Sequence, residues 1–171
     1  MSKKNNKEYI EEGSTVSSVD PSTMTLDIRY IDETVKRLEV NPNGNWIDVY
    51  AAETVELKKG QHKLISLGFA LKLPDGYEAI LAARSSTFKW WKILIANAFG
   101  IIDTTFCGNN DIWELSVYPT KWSLPWKKNI IHKGDKIAQF RIVKSQPPII
   151  FNEVDDLGGE DRGGFGTSGK K

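Results

Sequence analysis

The chain has 171 residues, 40% hydrophobic and 26% charged, with a formal net charge of +1. That length and composition suit one domain with a real core. The near-zero charge excludes a broad basic field for gripping nucleic acid, so phosphate binding needs a local cluster. Cys107 is the only cysteine, so no internal disulfide forms, in keeping with a reducing compartment.

Residues 1–22 are polar and read as a loose N-terminal tail without the apolar core of a secretory signal. No stretch approaches the roughly 18 apolar residues of a membrane span, which leaves the cytoplasm as the expected location. Short β-prone runs then follow in order: 26–31, 46–51, 54–57, 62–73, 77–83, 92–96, 112–118, 129–132 and 136–143. Valine, isoleucine and aromatic residues are frequent in them, as a pleated half-buried surface requires. Turns punctuate them at Pro42-Asn43-Gly44-Asn45, Lys59-Gly60, Pro74-Asp75-Gly76 and Lys133-Gly134-Asp135.

This rhythm predicts an all-β barrel or sandwich, with no βαβ alternation. One short helix is expected after Arg84, opened by Ser85 or Ser86. The β domain spans 23–152. The acidic, then glycine-rich stretch 153–171 reads as an arm that orders over an occupied site.

Two patterns in that arm mislead. Gly164, Gly166 and Gly169 fit a dinucleotide fingerprint, and Gly164 with Gly169-Lys170 fits part of a phosphate loop. Both need a strand before and a helix after, and neither is expected here. His62 and His132 stand alone, without partners at metal-ligand spacing. Trp90, Trp91, Trp122 and Trp126 lack a basic surround, so packing is expected rather than base stacking.

Five segments carry the chemistry: WIDVYAAE (46–53), ARSSTFK (83–89), NAFGIIDTTFCGN (97–109), KGDKIAQFRIV (133–143) and EDRGGFGTSG (160–169). In order and spacing they resemble the motifs of the trimeric dUTP pyrophosphatases. The resemblance implies a distorted jelly-roll-like β-barrel and a homotrimer with shared sites. It implies hydrolysis of dUTP to dUMP and pyrophosphate, which keeps uracil out of DNA and supplies dUMP for thymidylate synthesis.

Residue by residue, the resemblance makes Asp103 the base that activates water against the α-phosphorus. Its other reading is a turn aspartate bonding its own backbone. Arg84, Ser85 and Ser86 fall in the phosphate motif, where serine hydroxyls and free N–H groups suit phosphate oxygens. Arg84 serves equally well as an ion-pair strut to Asp48. Asn97 and the strand Gly100, Ile101, Ile102 resemble a hairpin whose backbone groups pair with uracil and reject cytosine.

Phe106 stands where the family usually has tyrosine, a ring that excludes a 2′-hydroxyl; it could also be simple core. Gln139 either reaches a phosphate or points outward from its strand. In the arm, Arg162 suits the γ-phosphate, Phe165 stacks on uracil, and Gly166 lets the backbone fold tightly. The implied cofactor is Mg²⁺, held through substrate phosphates and water rather than by protein ligands.

The sequence departs from the family at Trp46-Ile47, at Trp90-Trp91-Lys92, where a glycine often ends the helix, and at Cys107 and Asn109. The rival readings are a dCTP deaminase on the same fold and, if the chain is phage-encoded, a module that binds a regulatory protein partner. No nucleic-acid or membrane partner is expected.

Overall fold

The computed structural model describes residues 23–120, 128–161 and 163–164. Within them the chain forms β1 (Asp27–Tyr30), β2 (Ile47–Tyr50), β3 (Val55–Leu57), β4 (Lys63–Ser66), β5 (Phe69–Lys72) and β6 (Tyr77–Ala83). There follow α1 (Thr87–Trp91), β7 (Ile93–Ile95), β8 (Gly100–Ile102), β9 (Glu114–Pro119), β10 (Asn129–Ile131) and β11 (Lys136–Lys144). The result is almost all β with one short helix, as the sequence predicts.

All strand pairs are antiparallel. They make a four-stranded sheet in the order β2-β11-β6-β8, a three-stranded sheet β4-β9-β7, and the pairs β1-β5 and β3-β10. Among the described residues no single ladder closes into a barrel. The small sheets wrap one core in jelly-roll-like fashion.

Alternation decides which face is buried. In β9, Leu115 and Val117 point inward while Glu114 and Tyr118 are exposed. In β11 the alternation slips, and Ile137 and Ala138 are both buried. The register against β2 shifts between Lys136 and Ala138, the mark of a bulge that turns two successive side chains inward. The centre of the core is aromatic: Trp113 lies 5.1 Å from Phe69 and 5.1 Å from Phe140, centroid to centroid. Such tilted and edge-on pairs contribute about 1 kcal/mol each beyond area burial.

The run 62–73 reads in the sequence as one stretch but divides into β4 and β5 at Leu67-Gly68. Gly68 has φ +76°, and a Cβ there would stand 2.7 Å from Ala52 Cβ and 2.8 Å from Val35 Cγ2. Only glycine supplies both the left-handed backbone and the room. The break lets Leu67 donate to the Trp113 carbonyl and Gly68 accept from Ile31, tying the two sheets to β1.

The helix begins where expected, with Ser86 at the N-cap, but the Ser86 hydroxyl makes no cap hydrogen bond. Buried Thr87 holds the turn instead. Its hydroxyl accepts from Arg84 N at 3.0 Å and donates to the Ile137 carbonyl at 2.9 Å. The helix ends at Lys92, in the left-handed region at φ 52°, where glycine is the usual residue.

Candidate functional site

Strands β7 and β8 are consecutive yet do not pair with each other. β7 pairs with β9 and β8 with β6, so each is an edge strand of a different sheet. The expected closed hairpin is therefore a splayed connection. Beside the splay lies a cleft of about 420 Å³, whose lining includes Asn97, Gly100, Ile101, Ile102, Asp103, Thr105, Phe106, Glu114 and Ser116. The outer edge of β8 keeps its N–H and C=O groups free of ladder bonds among the described residues. Such an edge can pair with a planar ring that offers matching donors and acceptors.

The tip of this connection is tight. Phe99 N donates to the Asn97 carbonyl at 2.7 Å across Ala98, which has φ 63°. Asn97, at this tip, belongs to the cleft lining. Phe106, also in the lining, is 40% exposed.

Asp103 follows β8 directly. Its Oδ1 accepts from Thr105 N at 2.8 Å and from Thr105 Oγ1 at 2.5 Å. Those donors hold its carboxyl pKa below the ordinary carboxylate value, the hydroxyl being the larger cause. The Phe106 N–H adds a weaker pull in the same direction. The turn reading of Asp103 is thus seen directly, and the residue also lines the cleft.

Asp32 makes the same turn with Thr34, at 2.7 and 2.5 Å, and its pKa is lowered for the same reason. Asp32 does not line the cleft. Turn geometry alone therefore does not single out Asp103. Its position beside the free β8 edge does.

The remaining candidates gather elsewhere. Arg84, Ser85, Ser86 and Gln139 do not line the cleft. Arg84 Nε donates to Asp48 Oδ1 at 2.7 Å, and Lys136 Nζ reaches Asp48 Oδ2 at 3.0 Å. Asp48 in turn raises the Lys136 pKa above its ordinary value. Gln139 pairs across the ladder with Asp48 and donates from Nε2 to the Ala83 carbonyl at 3.2 Å. Among the described residues, neither Ser85 nor Ser86 gives its N–H to a backbone carbonyl, and Ser85 is exposed. This is a cationic turn with free donors. Arg162, Phe165 and Gly166 lie outside the described residues.

Motif reading singled out neither Thr105 nor Lys136. The aspartate-x-threonine spacing, a turn signal, could have pointed to Thr105. Nothing in the local sequence marks Lys136.

Among the described residues no three His, Cys, Asp or Glu side chains gather as a metal cluster. Asp103 and Glu114 are the carboxylates lining the cleft. That sparse oxygen donor set fits a hard cation carried mainly by a ligand's own phosphates. Among the described residues no helix is long and apolar enough to cross a membrane.

The structure thus presents a β fold of small sheets with a backbone-edged cleft and a carboxylate in its lining. Residues 46–169 match the dUTPase family, and the chain belongs to that family. It is 44% identical over 148 residues to the SPbeta prophage-derived deoxyuridine 5'-triphosphate nucleotidohydrolase YosS of Bacillus subtilis (strain 168), a match spanning 86% of this chain and 100% of the relative. The fold is similar to a mutant dUTPase of Staphylococcus bacteriophage 80alpha with dUpNHpp, at TM-score 0.72 and 22% identity, over 86% of this chain and 99% of that one. It is also similar to a mutant dUTPase of phage phi11 of S. aureus, described with a structural Mg(II) ion, at TM-score 0.68 and 22% identity, over 80% and 100% of the two chains. Phage dUTPases including that of 80alpha are further described as controlling transfer of virulence genes.

Proposed function

We propose that this chain is a dUTP diphosphatase, hydrolysing dUTP to dUMP and pyrophosphate. One observation carries the reading: Asp103, its Oδ1 held by Thr105, lines a cleft bordered by the free edge of β8. Uracil meets the backbone of Gly100, Ile101 and Ile102 and the side chain of Asn97. Cytosine, with its donor and acceptor exchanged at that edge, leaves buried groups unpaired and is rejected. The Phe106 ring lies beneath the deoxyribose, where a 2′-hydroxyl has no room.

Asp103 Oδ2 then takes a proton from a water molecule as the water oxygen bonds the α-phosphorus. The bond from that phosphorus to the bridging oxygen breaks, and pyrophosphate leaves. Mg²⁺ riding on the triphosphate supplies charge neutralisation when bound.

Arg84, Ser85, Ser86 and Gln139 hold the phosphates. In this single chain they stand outside the cleft that holds Asp103, which supports a homotrimer whose copies complete each other's sites. The arm bearing Arg162, Phe165 and Gly166 closes over the ligand, its arginine on the γ-phosphate and its phenylalanine on uracil. The expected setting is the cytoplasm, where the reaction removes dUTP before it enters DNA.

Pyrophosphate release from dUTP, dCTP, dTTP and UTP, each with Mg²⁺, tests this. Release from dUTP alone is expected. Ammonia release from dCTP would instead mark a deaminase, and equal rates with UTP would remove the role of Phe106. A second reading, binding of a regulatory protein partner, draws on the resemblance to a prophage-derived relative and to the 80alpha protein. A biological effect that survives Asp103→Asn in full would favour it.

A further inference from the structure

We propose that Thr105 is a positioning residue for the hydrolytic base, locking Asp103 so that Oδ2 alone faces the attacking water. The inference rests on the role given to Asp103 above. It stands on the geometry of one oxygen. Oδ1 of an ionised carboxylate has two lone pairs, and Thr105 occupies both with its N–H at 2.8 Å and its hydroxyl at 2.5 Å. An ionised carboxylate cannot donate, so the Thr105 hydroxyl must, and its proton is fixed on Oδ1.

Rotation of the carboxyl about its own bond would break both bonds at once. Thr105 is itself stiff, because a β-branched side chain has few rotamers. Thr105 lines the same cleft as Asp103 but contributes no charge. A general base gains from a fixed lone pair, since misdirection by about an ångström lowers rates steeply.

Asp32 and Thr34 provide an internal control, with the same two bonds on a turn remote in sequence and outside the cleft. There the Lys133 ammonium also meets the Thr34 hydroxyl. The pair builds structure only.

The test uses the full chain with Mg²⁺ and dUTP. Thr105→Val keeps the shape and removes the donor; kcat should fall about tenfold with KM nearly unchanged. Thr105→Ser restores the donor and should recover kcat to within about threefold of the parent. Thr34→Val should leave kcat at the parent value. If Thr105→Val retains full kcat while Asp103→Asn is inactive, the positioning role is wrong and the base stands. If Asp103→Asn is itself active, the reading beneath it fails. Equal loss in the valine and serine variants would also overturn the inference, because the hydroxyl would then be irrelevant.

Discussion

Arg84 Nε stands 2.7 Å from Asp48 Oδ1, joining the turn after β6 to β2 across the intervening strand β11. Both side chains are about three-quarters covered, at 28% and 25% exposure. The pair is therefore screened less than a surface ion pair, but not dry. Replacing Arg84 by alanine leaves Asp48 with Lys136 as its cation among the described residues. Urea unfolding should show a loss of about 1 kcal/mol, with the turn carrying Ser85 and Ser86 loosened. No change in midpoint would mean the pair contributes nothing to the fold.

Lys92 ends α1 in the left-handed region, at φ 52° and ψ 40°. A side chain there costs about 1 kcal/mol relative to glycine, part of which glycine returns through greater freedom in the unfolded chain. Lys92 also lays its ammonium 5.2 Å from the Phe88 ring. Lys92→Gly should still stabilise the protein by about 0.5 kcal/mol, seen as a melting temperature raised by about 2 °C. A lowered melting temperature would show that the stem of Lys92 packs more than its backbone is strained.

Gly68→Ala should act in the opposite direction. The new methyl would meet Ala52 and Val35 at under 3 Å, in a backbone conformation unsuited to it. A loss above about 3 kcal/mol is expected, with little soluble protein recovered. A stable alanine variant would show that the β4–β5 junction can repack.

The base should remain usable in acid. Hydrogen bonds from Thr105 hold the Asp103 pKa below the ordinary carboxylate value. Only the ionised form accepts a proton, so a lowered pKa preserves activity as pH falls, until that lowered value is reached. The acid limb of kcat against pH should therefore lie below the usual aspartate range, and in Thr105→Val it should move upward. Glu114 is the other titratable group lining the cleft, so Glu114→Gln should leave the limb in place. A limb that follows Glu114 instead would assign the proton to the wrong carboxylate.

Much of this architecture is legible in the sequence because turn chemistry is local. Gly60, Gly76 and Gly134 all take positive φ at the turns expected of them, and the strands fall between those turns. What stays hidden depends on distant partners. The division of 62–73 follows from Ala52 and Val35 crowding Gly68, and neither is near it in the chain. The splay of β7 from β8 follows from their allegiance to β9 and β6, which periodicity does not encode.

The motif marks Asp103 as a candidate, and the Arg84–Asp48 strut is one of two readings that it leaves open. The second bond from Thr105 and the reach of Lys136 to Asp48 are matters of side-chain geometry. The separation of Arg84, Ser85, Ser86 and Gln139 from the cleft is a property of one folded chain, and no motif order reveals it.

The most direct measurement is pyrophosphate release by Asp103→Asn, with circular dichroism and sedimentation matching the parent protein. An amide keeps the size and loses the basicity, so kcat on dUTP should fall by about a hundredfold or more. Parent-like turnover of dUTP by a correctly folded Asp103→Asn protein would contradict the account.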